Sequence, residues 1–303
     1  MPVIRSDDVR GVVYTPPSVA RPMVQLALAP LIAGKRADEL LALRVCDPAI
    51  GEGAFVAEVV DVLAEALAAA WTREGAARRR GGDLARRAVI EQCIFGIDVD
   101  ARAVGVARRR LGAPAGALRV GDALGLDWAR ALPEVFDRAD GGFDAVVGNP
   151  PYIRQESLGA RSKAAVRGFA SYDGVADLYV YFIELAHRIA RRGGRYCLIT
   201  PNKWLTAAYG RPLRAFLAAQ GSVNGVVDLS RAPLFAGADA FPSIVWGTVG
   251  APSEGPIRAS RATAEASVAD ALRDAGTPHA RDAWRAGPWH IDAPAERALI
   301  DRL

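Results

Sequence analysis

The tetrapeptide Asn149-Pro150-Pro151-Tyr152 has the residue types and order in this sequence best suited to chemistry. It follows the apolar run Phe143 to Gly148, and two successive prolines cannot continue a sheet, so the backbone just past that strand is held rigid. A rigid backbone can present the Asn149 side-chain oxygen and the Pro150 carbonyl as two fixed acceptors for one –NH2 group. Tyr152 adds a flat face on which a planar substrate can stack. Two acceptors on an amine attached to a conjugated ring draw the nitrogen toward a pyramidal shape and free its lone pair, which is catalysis by placed dipoles. A proline-rich turn with a satisfied asparagine is the plain structural alternative.

A second cluster lies upstream. Asp47-Pro48-Ala49-Ile50-Gly51-Glu52-Gly53-Ala54-Phe55 follows a strand pattern and opens a helix pattern, the place where a nucleotide-like cofactor binds in a doubly wound sheet. Only Gly51 and Gly53 are present, so the three-glycine dinucleotide fingerprint is absent, and no G-K-[ST] follows for a triphosphate. Carboxylates stand at successive strand ends instead: Asp47, Asp98 in FGIDVD and Asp122 in VGDAL. Three acids around one cleft would repel a pyrophosphate. They suit a ligand with a cationic amino group, a ribose diol and an adenine amine, so S-adenosylmethionine fits better than NAD or ATP. An amine attacking a methyl sulfonium needs no strong base, because its nitrogen becomes acidic only after transfer. Each acid taken singly could instead be a helix cap or turn residue.

These residues need a frame that brings strand ends together. Apolar runs alternate with longer helical patterns, which predicts βαβ units and a mostly parallel sheet. Strands are expected at Leu43 to Asp47, Cys93 to Asp98, Ala117 to Val120, Phe143 to Gly148, Arg195 to Thr200 and Val223 to Leu229. Helices are expected over Ala54 to Trp71, Ala101 to Leu111, Leu178 to Ala190 and Arg211 to Gln220, the third leading through Gly193-Gly194 into the strand at Arg195. Ser243 to Val249 is β-rich and is expected to close the sheet as an antiparallel edge strand. Residues 251–303 read as a linker, with helical pieces at Glu265 to Asp274 and Pro294 to Leu303. The basic stretch Arg73 to Arg87 reads as a solvated loop or helix face.

The chain has 303 residues, 51% of them hydrophobic and 24% charged, which allows one large α/β domain or two small ones and excludes a disordered tail or fibrous repeat. A net charge of +4 is too small to establish a nucleic-acid partner. Only three of its 38 basic residues are lysines, an arginine excess that suits phosphate recognition but that genomic base composition also explains. Cys46, Cys93 and Cys197 form no C-x-x-C pair and sit in apolar runs, which predicts reduced core residues, no structural zinc and a cytoplasmic protein. Charges at Arg5, Asp7, Asp8 and Arg10 argue against a signal peptide, and no apolar run is long enough for a membrane span.

From Gly11 to Trp246 the chain resembles the gamma-class (TaqI-like) DNA adenine-N6 methyltransferases, as found in type II and IIG restriction-modification and phage-exclusion systems. The resemblance implies a Rossmann-like S-adenosylmethionine-dependent methyltransferase fold over residues 1–250, and over 251–303 a linker and the start of a truncated or missing target-recognition region. It implies that Gly11 to Pro17, with Tyr14 and Thr15, packs over the methionine end of the cofactor. Asp47, Ala49, Gly51 and Gly53 would form the cofactor loop, where the family often has Cys at the place of Ile50 and Ser or Thr at Glu52. Asp98 would take the ribose, Asp122 with Ala123 the adenine, and Asn149, Pro150 and Tyr152 the chemistry, with Asn149 also touching the cofactor. Asp177 to Phe182 and Thr200 to Leu205 match later motifs. A second aromatic clamping the flipped adenine opposite Tyr152 is assigned to Phe235, with Phe241 as runner-up. Arg154, Arg161, Lys163 and Arg167 would hold DNA phosphates, or else line a solvated loop.

The partners implied are double-stranded DNA and a separate specificity subunit or missing recognition domain. Two other readings stand beside this one. The same tetrapeptide occurs in enzymes that methylate glutamine amides in proteins, although those carry a helical domain where this chain has Gly11 to Pro17. A non-catalytic DNA-binding or assembly module could also have kept the fold.

Overall fold

The computed structural model describes residues 15–75, 81–114, 116–232, 241–250, 255–274 and 276–292. In chain order the elements are α1 (Pro17–Ile32), α2 (Ala37–Leu41), β1 (Val45–Asp47), α3 (Ala54–Arg73), α4 (Gly82–Gln92), β2 (Ile94–Asp98), α5 (Ala101–Leu111) and β3 (Leu118–Val120). Then follow α6 (Trp128–Ala131), α7 (Pro133–Phe136), β4 (Phe143–Gly148), α8 (Ala160–Val166), α9 (Leu178–Ile189) and β5 (Ala190–Pro201). The last are α10 (Arg211–Gln220), β6 (Val223–Asp228), β7 (Pro242–Thr248), β8 (Ile257–Arg261), α11 (Val268–Arg273) and β9 (Thr277–His279).

All the strands join one sheet in the order β3-β2-β1-β4-β5-β7-β6-β8-β9. The first five pair in parallel, β7 runs antiparallel to both of its neighbours, β8 is parallel to β6, and β9 is antiparallel to β8. Helices cover both faces, so the central strands carry apolar stretches whose alternate residues enter opposite cores. Val45, Ala145, Val147, Cys197 and Ile199 point into the core beneath α1, α3 and α5. Cys46, Val146, Tyr196 and Leu198 point into the core beneath α6, α9 and α10. All three cysteines are buried and free. No helix among the described residues is long and apolar enough to cross a membrane.

Three details depart from the sequence reading. The strand expected to close the sheet is not its edge: β7 lies between β5 and β6. Its uncharged run Ile244-Val245-Trp246 buries side chains in both cores, which an edge position would leave half exposed. Second, Gly193 and Gly194 lie inside β5 and do not precede it, where the register against β4 slips between Phe143 and Ala145. Gly193 has φ +76°, and a Cβ on Gly194 would stand 2.8 Å from the Phe143 carbonyl oxygen, so glycines permit this bulge. Third, the sheet continues past residue 250 through β8 and β9, while α11 buries Val268, Ala271 and Leu272 in the α1 core. The expected helix at Pro294 to Leu303 lies outside the described residues.

Candidate active site

The chain leaves β1 for β2 and β3 on one side and returns to β4 on the other, so the strand order reverses between β1 and β4. Open α/β sheets bind ligands at the carboxyl edge of such a switch point. Here that edge carries Asp47 at the end of β1 and Asn149 just past β4. The two strand ends touch: a Cβ on Gly148 would stand 2.5 Å from Asp47 Oδ1.

The glycine loop spans β1 and α3. Gly51 at φ +51° and Gly53 at φ +86° both take left-handed backbone, which explains glycine at these two positions. Ile50 folds over the bare face of Gly96 and donates its N–H to the Ile97 carbonyl at 3.0 Å. The Gly51 N–H donates to Asp98 Oδ2 at 2.9 Å and the Asp100 N–H to Asp98 Oδ1 at 2.9 Å. Asp98 thus fastens the loop to the end of β2. Glu52, whose identity departs from the family pattern, is exposed.

Asp47 is 2% exposed and accepts the Ala49 N–H at 3.0 Å. Burial pushes its carboxyl up to about 7; the Ala49 N–H opposes that rise and the neighbouring Asp98 charge adds to it. Burial also raises Asp98, against the N–H groups of Asp100 and Gly51. No cation pairs with Asp47 among the described residues. A buried carboxylate of this kind fits a ligand that brings its own positive charge, so the residues present fit S-adenosylmethionine.

The same burial predicts a pH effect. An unfolded aspartate ionises near pH 4, whereas folded Asp47 keeps its proton up to about 7, so the folded state binds more protons and loses stability as pH rises through that window. The loss is of order 4 kcal/mol at most. Cofactor-free Asp47→Asn is therefore expected to melt higher than the parent at pH 8, with the gap narrowing at pH 5. Thermal melts at the two pH values check this, and an unchanged gap would contradict it.

Asp122 follows β3, and its Oδ1 accepts the Leu124 N–H at 3.1 Å. Ala123 is buried, and its carbonyl accepts the Trp128 indole N–H at 3.0 Å. A Cβ on Gly125 would meet Asp122 Oδ2 at 3.6 Å and Ala165 Cβ at 3.7 Å, which places α8 against the Asp122 turn. Asp47, Asp98 and Asp122 therefore stand at the carboxyl ends of three adjacent parallel strands, as their spacing implies.

The Asn149 amide nitrogen donates to Thr15 Oγ1 at 3.1 Å, and Thr15 is 3% exposed. Thr15, read as a cofactor contact, is thus seen holding the orientation of the Asn149 amide. Pro150 is buried behind it. The Tyr152 ring packs edge-on to Tyr179, with centroids 6.3 Å apart and planes at 68°. Tyr179 and Tyr209 share a 2.8 Å hydroxyl hydrogen bond. Burial raises the Tyr152 phenol, whose hydroxyl has no partner among the described residues. The Leu178 N–H donates to the Ile153 carbonyl at 3.0 Å and the Gln155 N–H to Asp177 at 3.3 Å, tying the segment after Tyr152 to the start of α9.

Tyr14 and Phe235 lie outside the described residues, as do the Arg161 side chain and the flanking Gly11 to Val13. Phe241, the runner-up clamp, is 56% exposed at the start of β7, and its carbonyl accepts the Asn202 N–H at 2.7 Å. Arg154 and Arg167 are exposed and Lys163 is half-buried.

A fourth strand-end acid was not singled out in the sequence. Asp228, closing β6, accepts from Asn202 at 3.3 Å, the Ser230 hydroxyl at 2.9 Å and Arg261 at 3.1 Å, and Arg261 also pairs with Asp292 at 2.9 Å. Its signal was the same as that of the other three: an aspartate ending an apolar run, in VVDLS.

The fold is that of the S-adenosylmethionine-dependent methyltransferases. A solved structure from Listeria monocytogenes described as a class I S-adenosylmethionine-dependent methyltransferase superposes with a TM-score of 0.58 at 17% identity, covering 88% of this chain and 68% of that one. In sequence, residues 120–235 match the family model of the Eco57I restriction-modification methylases. The type II methyltransferase M.XhoI of Xanthomonas vasicola is 31% identical over 231 residues, covering 73% of this chain and 39% of that protein. M.PaeR7I of Pseudomonas aeruginosa, also a type II methyltransferase, is 28% identical over 316 residues, covering 98% of this chain and 52% of that protein. The chain thus spans about half the length, or less, of these two relatives.

Proposed function

We propose that this chain is the catalytic part of a site-specific DNA methyltransferase that moves a methyl group from S-adenosylmethionine to the N6 amine of an adenine flipped out of double-stranded DNA, in restriction-modification or phage defence. The observation that carries the reading is the Asn149 amide, oriented by Thr15 and set against the buried Asp47 carboxylate across Gly148. When bound, the cofactor supplies an electrophilic methyl group. Asp47, Ala49, Gly51, Gly53, Asp98, Asp122 and Ala123 would hold it, together with Tyr14. The Asn149 side-chain oxygen and the Pro150 carbonyl would accept hydrogen bonds from the two amine N–H groups and free the nitrogen lone pair, one proton leaving only after the methyl has been transferred, while Tyr152 stacks on the base. Flipping costs roughly a few kcal/mol. Stacking on Tyr152 offsets on the order of 1–3 kcal/mol of it.

Phe235 would clamp the base from the side opposite Tyr152, with Phe241, exposed at the start of β7, as the alternative. Arg154, Lys163 and Arg167 would hold phosphates, and a recognition region or separate specificity subunit would choose the sequence. The relatives' greater length supports the last point. A cytoplasmic location follows from a DNA substrate.

The test is label transfer from S-adenosylmethionine to genomic DNA and to a glutamine-containing peptide. Label on DNA adenine is expected. Label on the peptide alone would favour glutamine methylation, and label on neither would favour an assembly module. Long-read mapping of methylated adenines in cells expressing the complete gene then gives the target.

A further inference from the structure

Three residues beyond Tyr152 begins a second hollow. A cavity of about 140 Å3 between α8 and the start of α9 is lined by Gln155, Lys163, Val166, Arg167, Tyr172 and Tyr181. Tyr172 is 41% exposed, an unusual setting for a large ring that is nonetheless fixed in place. It stacks on Tyr181 with centroids 6.4 Å apart and planes at 25°. Tyr181 is 1% exposed, and its hydroxyl donates to the Asp173 carbonyl at 2.9 Å. The stack is therefore anchored from below and open above. Val175, 66% exposed, extends the apolar surface of the same turn.

Lys163 and Arg167 are four apart on one helical side and both reach this cavity. Neither has an ion-pair partner among the described residues. The Asp173 carboxylate at the cavity wall accepts the Val175 N–H at 3.0 Å. Gln155 adds an amide that can donate and accept at a base edge. An anchored aromatic face beside two cations is the combination that binds one unit of a nucleic-acid strand, base on ring and phosphate on cation.

We propose that this hollow is a second base subsite, which takes the nucleotide next to the flipped adenine, its base on Tyr172 and its phosphate between Lys163 and Arg167. The proposal rests on the DNA reading above. It gives the methylase domain a contact to the neighbouring base that is independent of any recognition region, so part of the sequence preference would reside in this chain.

The experiment measures binding of the full chain to a duplex carrying one adenine opposite an abasic site, which makes base opening cheap, and to a second duplex that also lacks the bases flanking that adenine. Tyr172→Ala is expected to weaken binding of the first duplex about 5- to 150-fold and to add little on the second, with Tyr172→Trp restoring affinity. Arg167→Gln, on an exposed side chain, is expected to reduce the salt slope of binding by about 0.9, and it carries the test should Tyr172→Ala not fold. Equal binding by Tyr172→Ala and the parent, or an equal loss on both duplexes, overturns the subsite while leaving the proposed function standing. A parent chain that binds S-adenosylmethionine but neither duplex overturns both.

Discussion

Replacing Asn149 with alanine is expected to lower single-turnover methyl transfer by about 10³-fold while leaving S-adenosylmethionine affinity within a few-fold. Asn149 lies one residue past β4, and its amide nitrogen is committed to Thr15 at 3.1 Å, which leaves the amide oxygen as its acceptor. Removing it takes away one of two dipoles placed for an amine and touches none of the N–H contacts that shape the glycine loop. Thr15→Val should act through the same amide, allowing it to turn and costing about tenfold in rate. Rapid-quench kinetics on DNA and calorimetry with the cofactor separate the two effects. A loss of cofactor binding equal to the loss of rate would mean that Asn149 holds the cofactor and not the amine.

How far the sequence carried the fold depends on what each residue's neighbours had to be. Short runs such as Val45–Asp47 and Phe143–Gly148 were legible as strands because their apolar residues follow one another without polar alternation, as in a parallel sheet covered on both faces; the buried Asp144 near the start of β4 is paired with Arg138 and Arg191. The place of β7 was not legible. Strand order is decided by which edges remain unpaired after the chain has doubled back; the uncharged run Ile244 to Trp246 suits a strand covered on both faces but does not say which strands lie beside it. The β5 bulge was hidden for a related reason: Gly193-Gly194 looks like a turn, and only the Phe143 carbonyl packed against it makes it strand.

At the site, the acids and the tetrapeptide were legible because each follows a strand, and all parallel strands open at one edge. What the sequence could not supply were contacts across large separations. Thr15 reaches Asn149 over 134 positions, and Gly51 reaches Asp98 over 47. Gly148 is the instructive middle case: it reads as the end of a strand, and only the position of Asp47 shows why a side chain is excluded there.

Asp98→Ala is expected to weaken S-adenosylmethionine binding by on the order of 10²-fold or more while changing kcat at saturating cofactor far less, since each hydrogen bond to a charged group contributes about 1.5–3 kcal/mol. Two losses combine. A ribose diol would lose its acceptor, and the Gly51 and Asp100 N–H groups lose the oxygens that hold the loop at 2.9 Å. Asp98→Asn divides them, because an amide oxygen can still accept from one N–H; its loss should be nearer tenfold. The substitution also removes the charge that helps raise Asp47, so the Asp47 carboxyl should titrate lower in Asp98→Asn than its present value of about 7. The melting-temperature gap attributed to Asp47 would then shrink in the Asp98→Asn background, a coupling that two independent sites would not show. Unchanged calorimetric affinity for the cofactor in Asp98→Ala would contradict the role assigned to the end of β2. A normal affinity with an altered Asp47 titration would leave Asp98 as a purely electrostatic neighbour.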